Sequence, residues 1–443
     1  MWASGASTVA RTMTVGQWHG TMKIAVWHNL PSGGGKRALY YHLKGLVERG
    51  HHVEIWCPPT ADRTFWPLGA LAQEHIVEPS PSPAQGGLLA RRFFWPYRNI
   101  TTALRALDRH CVRCAREIEA GGFDVVFANT CMLSAASPIG RRCARPSVLY
   151  LGEPHRRLYE AMPELPRLVA ASRAGSLLMR WKSALRDEMR WRALNVQARQ
   201  ERFSAGGFGL ILVNSLFSRE NVLRAYGLDA KVCYLGVDVE LFKPTESRRN
   251  YVVGLGSIAA HKGIDRVLAV LALVPEALRP PLIWGANFVD AEYKLYIEGL
   301  ARSLGVSLSL QVGLSDSEVV RLLGEAVLML YTPRLEPFGL APLEANACGT
   351  PVVAVAEGGV RETVRDWVNG VLLPDADPAP LARSVVFLLE HPEVLARLRD
   401  SARRHVVENW GWGAAVDRLE HHLRQAASSG ARPAGGSGPE TRA

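Results

Sequence analysis

The sequence predicts an α/β fold built from two doubly wound parallel sheets. Short apolar runs of strand length alternate with segments of helical period along most of the chain. The first run is followed by a glycine loop and a helical pattern, the usual opening of a parallel sheet. The alternation halts at Lys243-Pro244 and the polar stretch TESRRN, then begins again.

In order, MKIAVWHNL (22–30) reads as the first strand, PSGGGKR as the loop and ALYYHLKGLVERG as the helix leading to a second strand, HHVEIWCP. Further buried strands are predicted at DVVFAN (124–129), SVLYLG (147–152), GLILVNS (209–215) and KVCYLGVD (231–238). The second half repeats the scheme at YVVGLGSI (251–258), PLIWGA (281–286), VSLSLQVGL (306–314), VLMLYTP (327–333) and TPVVAVA (350–356). The expected domains are therefore 22–243 and 244–405. A closing helical pattern follows over roughly 378–425, of which 406–425 forms the last helix. Residues 1–21 read as an unstructured lead before Met22, and the small-residue stretch 426–443 reads as a disordered tail.

The chain has 443 residues, 48% of them hydrophobic, enough for two sizeable cores. No apolar run approaches the ~20 residues of a membrane-spanning helix, and the N-terminus lacks an apolar signal core. A cytoplasmic location is expected, and seven cysteines without framework spacing fit a reducing compartment. The pair Cys111 and Cys114 lies inside a helical pattern and reads as ordinary helix thiols rather than half a zinc site. A net charge of +10 and a pI near 9.4 point to anionic partners.

Two basic segments interrupt the first half. GLLARRFFWPYRNI (87–100) interleaves arginine with aromatics, and residues 151–202 hold 11 Lys/Arg against 6 Asp/Glu. Within the second, Leu178, Trp181, Leu185 and Met189 share one helical face. That pattern fits a helix lying on an anionic membrane surface, and equally one docked on its own domain. Nucleic acid is not expected, because no recognised module accompanies the charge.

The densest chemistry sits in EPFGLAPLEANACGTPVVAV (336–355). It leaves the carboxyl end of a predicted strand, where open α/β sheets bind ligands, and enters a helix through Pro342. A glycine loop running into a helix N-terminus offers free N–H groups to phosphate. Glu336 and Glu344 repel phosphate, so their natural partners are hydroxyl pairs, each charge-assisted bond contributing ~1.5–3 kcal/mol. A ligand with diols at both ends and phosphates between them is a nucleotide-diphosphate sugar. GLGSIAAHKGIDRVL (254–268) adds Lys262 just before another helix, placed to meet the diphosphate.

These elements together resemble a large family of retaining nucleotide-sugar glycosyltransferases that includes phosphatidylinositol mannosyltransferases and sucrose synthases. "EPFGLAPLE", "ACGTPVVAVAEGGVRETV", "HKG", "NSLFSRE", "YLGVDVELF" and "LPSGGGKR" carry the resemblance over roughly residues 22–410. It implies the GT-B architecture: two Rossmann-like domains facing a cleft, the first binding acceptor, the second donor. The last helix crosses back to the first domain. Glu344 would take the ribose hydroxyls and Lys262 the diphosphate. Glu336 with Phe338, Gly339 and Leu340 would hold the donor sugar and phosphates. Gly256 belongs to the same donor set, the main chain at Val312, Gly313 and Leu314 would meet the base, and Gly33 and Gly34 would admit the pyrophosphate.

Two departures stand out. Members commonly carry arginine where this chain has Ser257, leaving Arg37 or Arg361 as candidates for a second cation. They often carry histidine where this chain has Gly152, so His155, three residues on, is a candidate substitute, with a plain surface histidine as the alternative. The expected reaction moves a hexose from a nucleotide-diphosphate sugar to a hydroxyl acceptor with retention. The basic-aromatic segments favour a lipid-linked acceptor or a cell-envelope glycan precursor, and peripheral attachment to the inner membrane face. No cofactor and no metal are expected: Asp375-Ala-Asp377 matches a metal-binding D-x-D pattern but sits in a turn, PDADPAP, where capping explains it. The competing reading is a catalytically idle sugar-nucleotide or membrane-surface binding protein of the same fold, suggested by Ser257 and Gly152. A dinucleotide-dependent dehydrogenase is excluded, since the first glycine loop lacks G-x-G-x-x-G and strand two ends in Pro58-Pro59.

Overall fold

The computed structural model describes residues 20–78, 95–159 and 177–429. Most of the expected lead and tail, residues 87–94 of the first basic segment and residues 160–176 of the second lie outside the described residues.

Two wholly parallel sheets form, as the run of short apolar segments requires. The first has seven strands in the order β3-β2-β1-β4-β5-β6-β7: β1 (Lys23–Asn29), β2 (His52–Cys57), β3 (Gln73–Ile76), β4 (Val125–Cys131), β5 (Ser147–Tyr150), β6 (Leu210–Val213) and β7 (Lys231–Val232). The second has six, in the order β10-β9-β8-β11-β12-β13: β8 (Val252–Leu255), β9 (Leu282–Ala286), β10 (Leu308–Val312), β11 (Leu328–Tyr331), β12 (Val352–Val355) and β13 (Gly370–Leu373). Strand order reverses beside β1 and beside β8. Both reversals open a crevice at the carboxyl ends of the strands, and the glycine loops lie there.

The sequence pattern omits β3 and β13. Both are edge strands with one hydrogen-bonded neighbour, and β3 (Gln-Glu-His-Ile) is half-exposed, so neither needs a continuous apolar run. The run at 231–238 forms a strand only over Lys231–Val232. The predicted helical stretch 378–425 divides into Pro378–Glu390, Pro392–Asn409 and Trp412–Ser429. Pro392 lacks an N–H and starts the second piece, and Gly411 separates the last two. On the helix Leu177–Ala205, Met189 is buried at 4% exposure against its own domain, while Trp191 stands 62% exposed. The side chains of Leu178, Trp181 and Leu185 lie outside the described residues.

The chain passes between the sheets twice, and the two passages run side by side. Val237 donates its N–H to the Trp410 carbonyl at 2.8 Å and forms a parallel bridge with Gly411. The final helix then lies on the helix Gly34–Glu48 of the first domain, burying Val416, Leu419 and Leu423. Arg49 fixes it with ion pairs to Asp417 (2.6 Å) and Glu420 (3.0 Å).

Candidate active site

The loop between β11 and the helix Leu340–Ala347 is held in one conformation from several sides. Leu335 has φ +49°, an uncommon backbone state for a branched side chain. Its N–H donates to Glu357 (2.7 Å), and its carbonyl accepts from the Arg156 guanidinium (2.5 Å). Behind it, Gly358 (φ +64°) lies so close that a Cβ would stand 2.2 Å from the Glu336 carbonyl oxygen, which accepts from the Gly359 N–H at 2.7 Å. Phe338 is buried between Tyr234 and Trp410. Gly339 then caps the helix that carries Leu340 and, one turn on, Glu344.

With its backbone thus fixed, Glu336 meets Lys262, whose Nζ lies 2.8 Å from Oε2. Lys262 ends a short turn, Ala260–Lys262, before the helix Ile264–Ala272. Its side chain runs over Gly256 (φ +147°), where a Cβ would stand 3.3 Å from Lys262 Cδ. From the first domain Arg156 reaches the same place, bonded to Glu153 (2.5 Å) and to the carbonyls of Arg334 and Leu335. Burial pushes the Glu336 carboxyl up, but Lys262 and Arg156 outweigh it and hold the group below the usual carboxylate range. Burial raises the Glu153 carboxyl against the pull of Arg156. Burial, with help from Lys262 and Arg156, lowers His261 to about 4, so it is neutral near pH 7. Arg156, Glu153 and His261 are the residues that sequence reasoning missed. Ser257 leaves a cation short beside Lys262, and a guanidinium that acts on Glu336 comes from the GEPHRR stretch of the other domain.

The second glutamate lies across the cleft from the glycine loop. Glu344 is 2% exposed; Oε1 pairs with Arg37 at 2.8 Å, and Oε2 is buried without a partner. Burial raises its carboxyl above the usual range, and Arg37 opposes the rise. Gly33 and Gly34 pack toward Asn287 and Leu340 of the second domain, so the two domains touch across the cleft. Val312 ends β10 half-exposed, Gly313 (φ +74°) turns the chain, and Leu314 packs on the core.

The structure brings Lys262 and Glu336 together at one place in the cleft and Arg37 and Glu344 at another. It sets two candidates apart. His155 gives its backbone N–H to Glu201, and its Nδ1 is buried without a hydrogen-bond partner. Arg361 is exposed on the short helix Val360–Thr363 and lines a different cavity with Tyr234, His405 and Arg418. Beside the cleft the domains are latched. The Ser215 hydroxyl donates to the Pro337 carbonyl (2.5 Å). Glu362 accepts from the N–H groups of Leu216 (2.8 Å) and Phe217 (3.1 Å) and from the Tyr234 hydroxyl (2.9 Å).

Two groups of residues invite a metal reading. Asp377 caps the helix Pro378–Glu390 and Asp375 closes the turn before it, so both side chains are engaged in local backbone bonds. Among the described residues, His28, Cys57 and Glu74 hold ligand atoms within 4.8 Å of one another. The Lys36 ammonium is buried beside them and Arg63 lies 3.2 Å from Glu74, so the positive charge a metal would bring is already supplied. His28 Nδ1 accepts from the Leu30 N–H, which leaves the proton on the nitrogen that would have to bind. That donor set does not fit a metal.

Residues 239–405 match the family Glycosyl transferases group 1, and residues 32–241 match Glycosyltransferase Family 4. The chain is 30% identical over 404 residues to an MMP alpha-(1->4)-mannosyltransferase from Mycolicibacterium hassiacum, covering 86% of this chain and 92% of the relative. The chain belongs to this glycosyltransferase family. Further relatives are matched over about a third to somewhat more than half of their own length. D-inositol 3-phosphate glycosyltransferase 1 of Catenulispora acidiphila is 30% identical over 243 residues, 50% of this chain and 58% of the relative. Among solved structures, HepE of Anabaena in complex with UDP superposes with a TM-score of 0.65 at 20% identity, covering 91% of this chain and all of that chain. Sucrose-phosphate synthase from Thermosynechococcus elongatus gives 0.66 at 18%, over 92% and 100%. The fold is GT-B.

Proposed function

We propose that the protein is a retaining, metal-independent hexosyltransferase that takes its sugar from a nucleotide-diphosphate donor and gives it to a hydroxyl acceptor. The observation that carries this reading is the convergence of Lys262, Arg156 and Glu336 at the carboxyl end of β11, with Glu344 on the helix that follows in the same domain and Arg37 facing it from the other. Lys262 and Arg156 supply two cations for the diphosphate, and Glu336, kept ionised by both, accepts from sugar hydroxyls. Glu344 has one buried oxygen without a partner to offer the ribose, and Arg37 opposes the rise that burial gives its carboxyl. In the transfer, the bond from the anomeric carbon to the diphosphate oxygen breaks while the acceptor oxygen bonds to that carbon on the same face. The acceptor proton passes to the departing diphosphate. The protein's work is electrostatic: fixed cations aimed where negative charge grows. Relatives that include a mannosyltransferase, and neighbours described with UDP or UDP-glucose, support a hexose on a nucleotide diphosphate. The exposed Trp191 on a basic helix supports an acceptor presented at an anionic membrane surface.

The test is a donor screen. UDP-, GDP- and ADP-sugars are assayed for nucleotide release, with and without EDTA, on the wild type and Lys262→Ala. Release from one donor, insensitive to EDTA and lost in the variant, is expected. Absence of release and of any thermal shift with every donor would leave the idle binding protein as the better reading.

A further inference from the structure

A second basic cavity lies away from the cleft, on the rear of the donor domain beside the passage between domains. It encloses about 310 Å³ and is lined by Arg248, Arg399, Arg403 and Arg404. Asp400 and Glu408 stand exposed at its rim. Among the described residues no carboxylate comes within 4.0 Å of any of the four guanidiniums. Three of them instead donate to uncharged oxygens. Arg248 binds the carbonyls of Gly324 and Gly349 and the Thr350 hydroxyl, and Arg399 binds the Val327 carbonyl (3.0 Å). Arg403 binds the carbonyls of Val239 (3.1 Å), Phe242 (2.7 Å) and Ala347 (2.8 Å). Arg404 is exposed, without a bonded partner.

Half-buried cations without counter-charge are costly, and surface arginines ordinarily find a carboxylate. Here two of them work against each other: burial and Arg248 hold the Arg399 guanidinium down to about 10, and its Nε is buried without a partner. An anion in the adjoining cavity would relieve this repulsion. Guanidinium forks match the oxygens of phosphate, and a cavity of this size admits a small phosphorylated molecule.

We propose that this cavity binds a small, soluble phosphate-bearing anion and that its occupancy stiffens the passage between the domains. Arg403 ties together the linker (Val239, Phe242) and the carboxyl end of the helix that carries Glu344 (Ala347). A ligand held by its neighbours therefore bears on both the hinge and the donor site.

The probe is inorganic pyrophosphate, titrated calorimetrically into full-length Lys262→Ala, so that the donor site is already weakened and the outcome is independent of whether the chain transfers sugar. One saturable site is expected. Adding Arg404→Gln should weaken it at least about tenfold, the loss of one charge-assisted contact. Arg399→Gln should do the same, and because Arg404 is exposed and partnerless, the first variant keeps the fold even if the second loosens it. Hydrogen exchange at 239–242 and 347–349 should slow on adding pyrophosphate to Lys262→Ala and stay unchanged in Lys262→Ala/Arg404→Gln. No saturable binding, or binding indifferent to both arginine substitutions, would overturn the site. Binding without protection of those segments would overturn its effect on the hinge.

Discussion

Arg156 offers the sharpest test of the proposed chemistry, because it reaches the donor loop from the opposite domain. Replacing it with glutamine removes a guanidinium that is 13% exposed and already fixed by Glu153 and two carbonyls. A donor fixed in advance and aimed at developing charge typically contributes about 10²–10³ in rate, or ~2.7–4 kcal/mol. The structural cost is smaller. Glu153 is one-third exposed, so losing the ion pair removes about 1 kcal/mol of stability or less after screening. Steady-state nucleotide release should therefore show kcat/KM down about 10²–10³, well beyond what unfolding explains. Arg156→Lys should recover part of the loss, since the point charge returns without the fork that holds Leu335. A glutamine variant within about threefold of wild type, folded and saturable with donor, would refute the assignment of the second cation to Arg156.

Gly256→Ala places a Cβ at φ +147° against Lys262, so activity should fall at least about tenfold in the same assay while the protein stays folded, the strain being ~1–3 kcal/mol. Glu344→Gln should raise the donor KM about tenfold or more, the loss of a charge-assisted bond to ribose. Because burial raises the Glu344 carboxyl, the wild-type donor KM should also climb as pH falls through that raised value, and the variant's pH profile should be flatter. Glu336 has the opposite sign: its folded carboxyl is held low, so it stabilises the fold above the ordinary carboxylate range and loses that contribution as pH falls through its depressed value. Lys262→Met should remove part of this, giving a shallower acid limb in thermal unfolding against pH. Glu362→Gln weakens three bonds that join the domains and should lower stability by about 1–2 kcal/mol, visible in a urea titration.

How far the sequence reaches depends on the range of each interaction. The central strands are legible because burial on both faces forces unbroken apolar runs such as VVAV and LMLY. Edge strands escape this demand, which is why Gln73–Ile76 leaves no trace in the pattern. The carboxylates and Lys262 are legible because each sits in a local signal: a strand end, glycine, then a helix start. The contact of Arg156 with Leu335 joins residues 179 positions apart, and no spacing rule reports it. The same holds for Arg37 with Glu344, a pairing that exists only because the domains face each other. Met189 shows the limit of periodicity itself, since an apolar helix face looks alike whether it meets lipid or its own domain.

The bond from Val237 to Trp410 has a mechanical consequence. Two domains tied by one strap can swivel and twist freely about it. When two straps run parallel and are stitched together, twisting would shear the stitch, and what remains is mainly bending about an axis across the pair. Opening and closing of the cleft then follow nearly a single coordinate, so Arg156 and Arg37 return to the same partners at each closure. One residue inserted before Val237 but not before Gly411 would put the straps out of step. The domains should still fold, and the cleft residues would no longer meet.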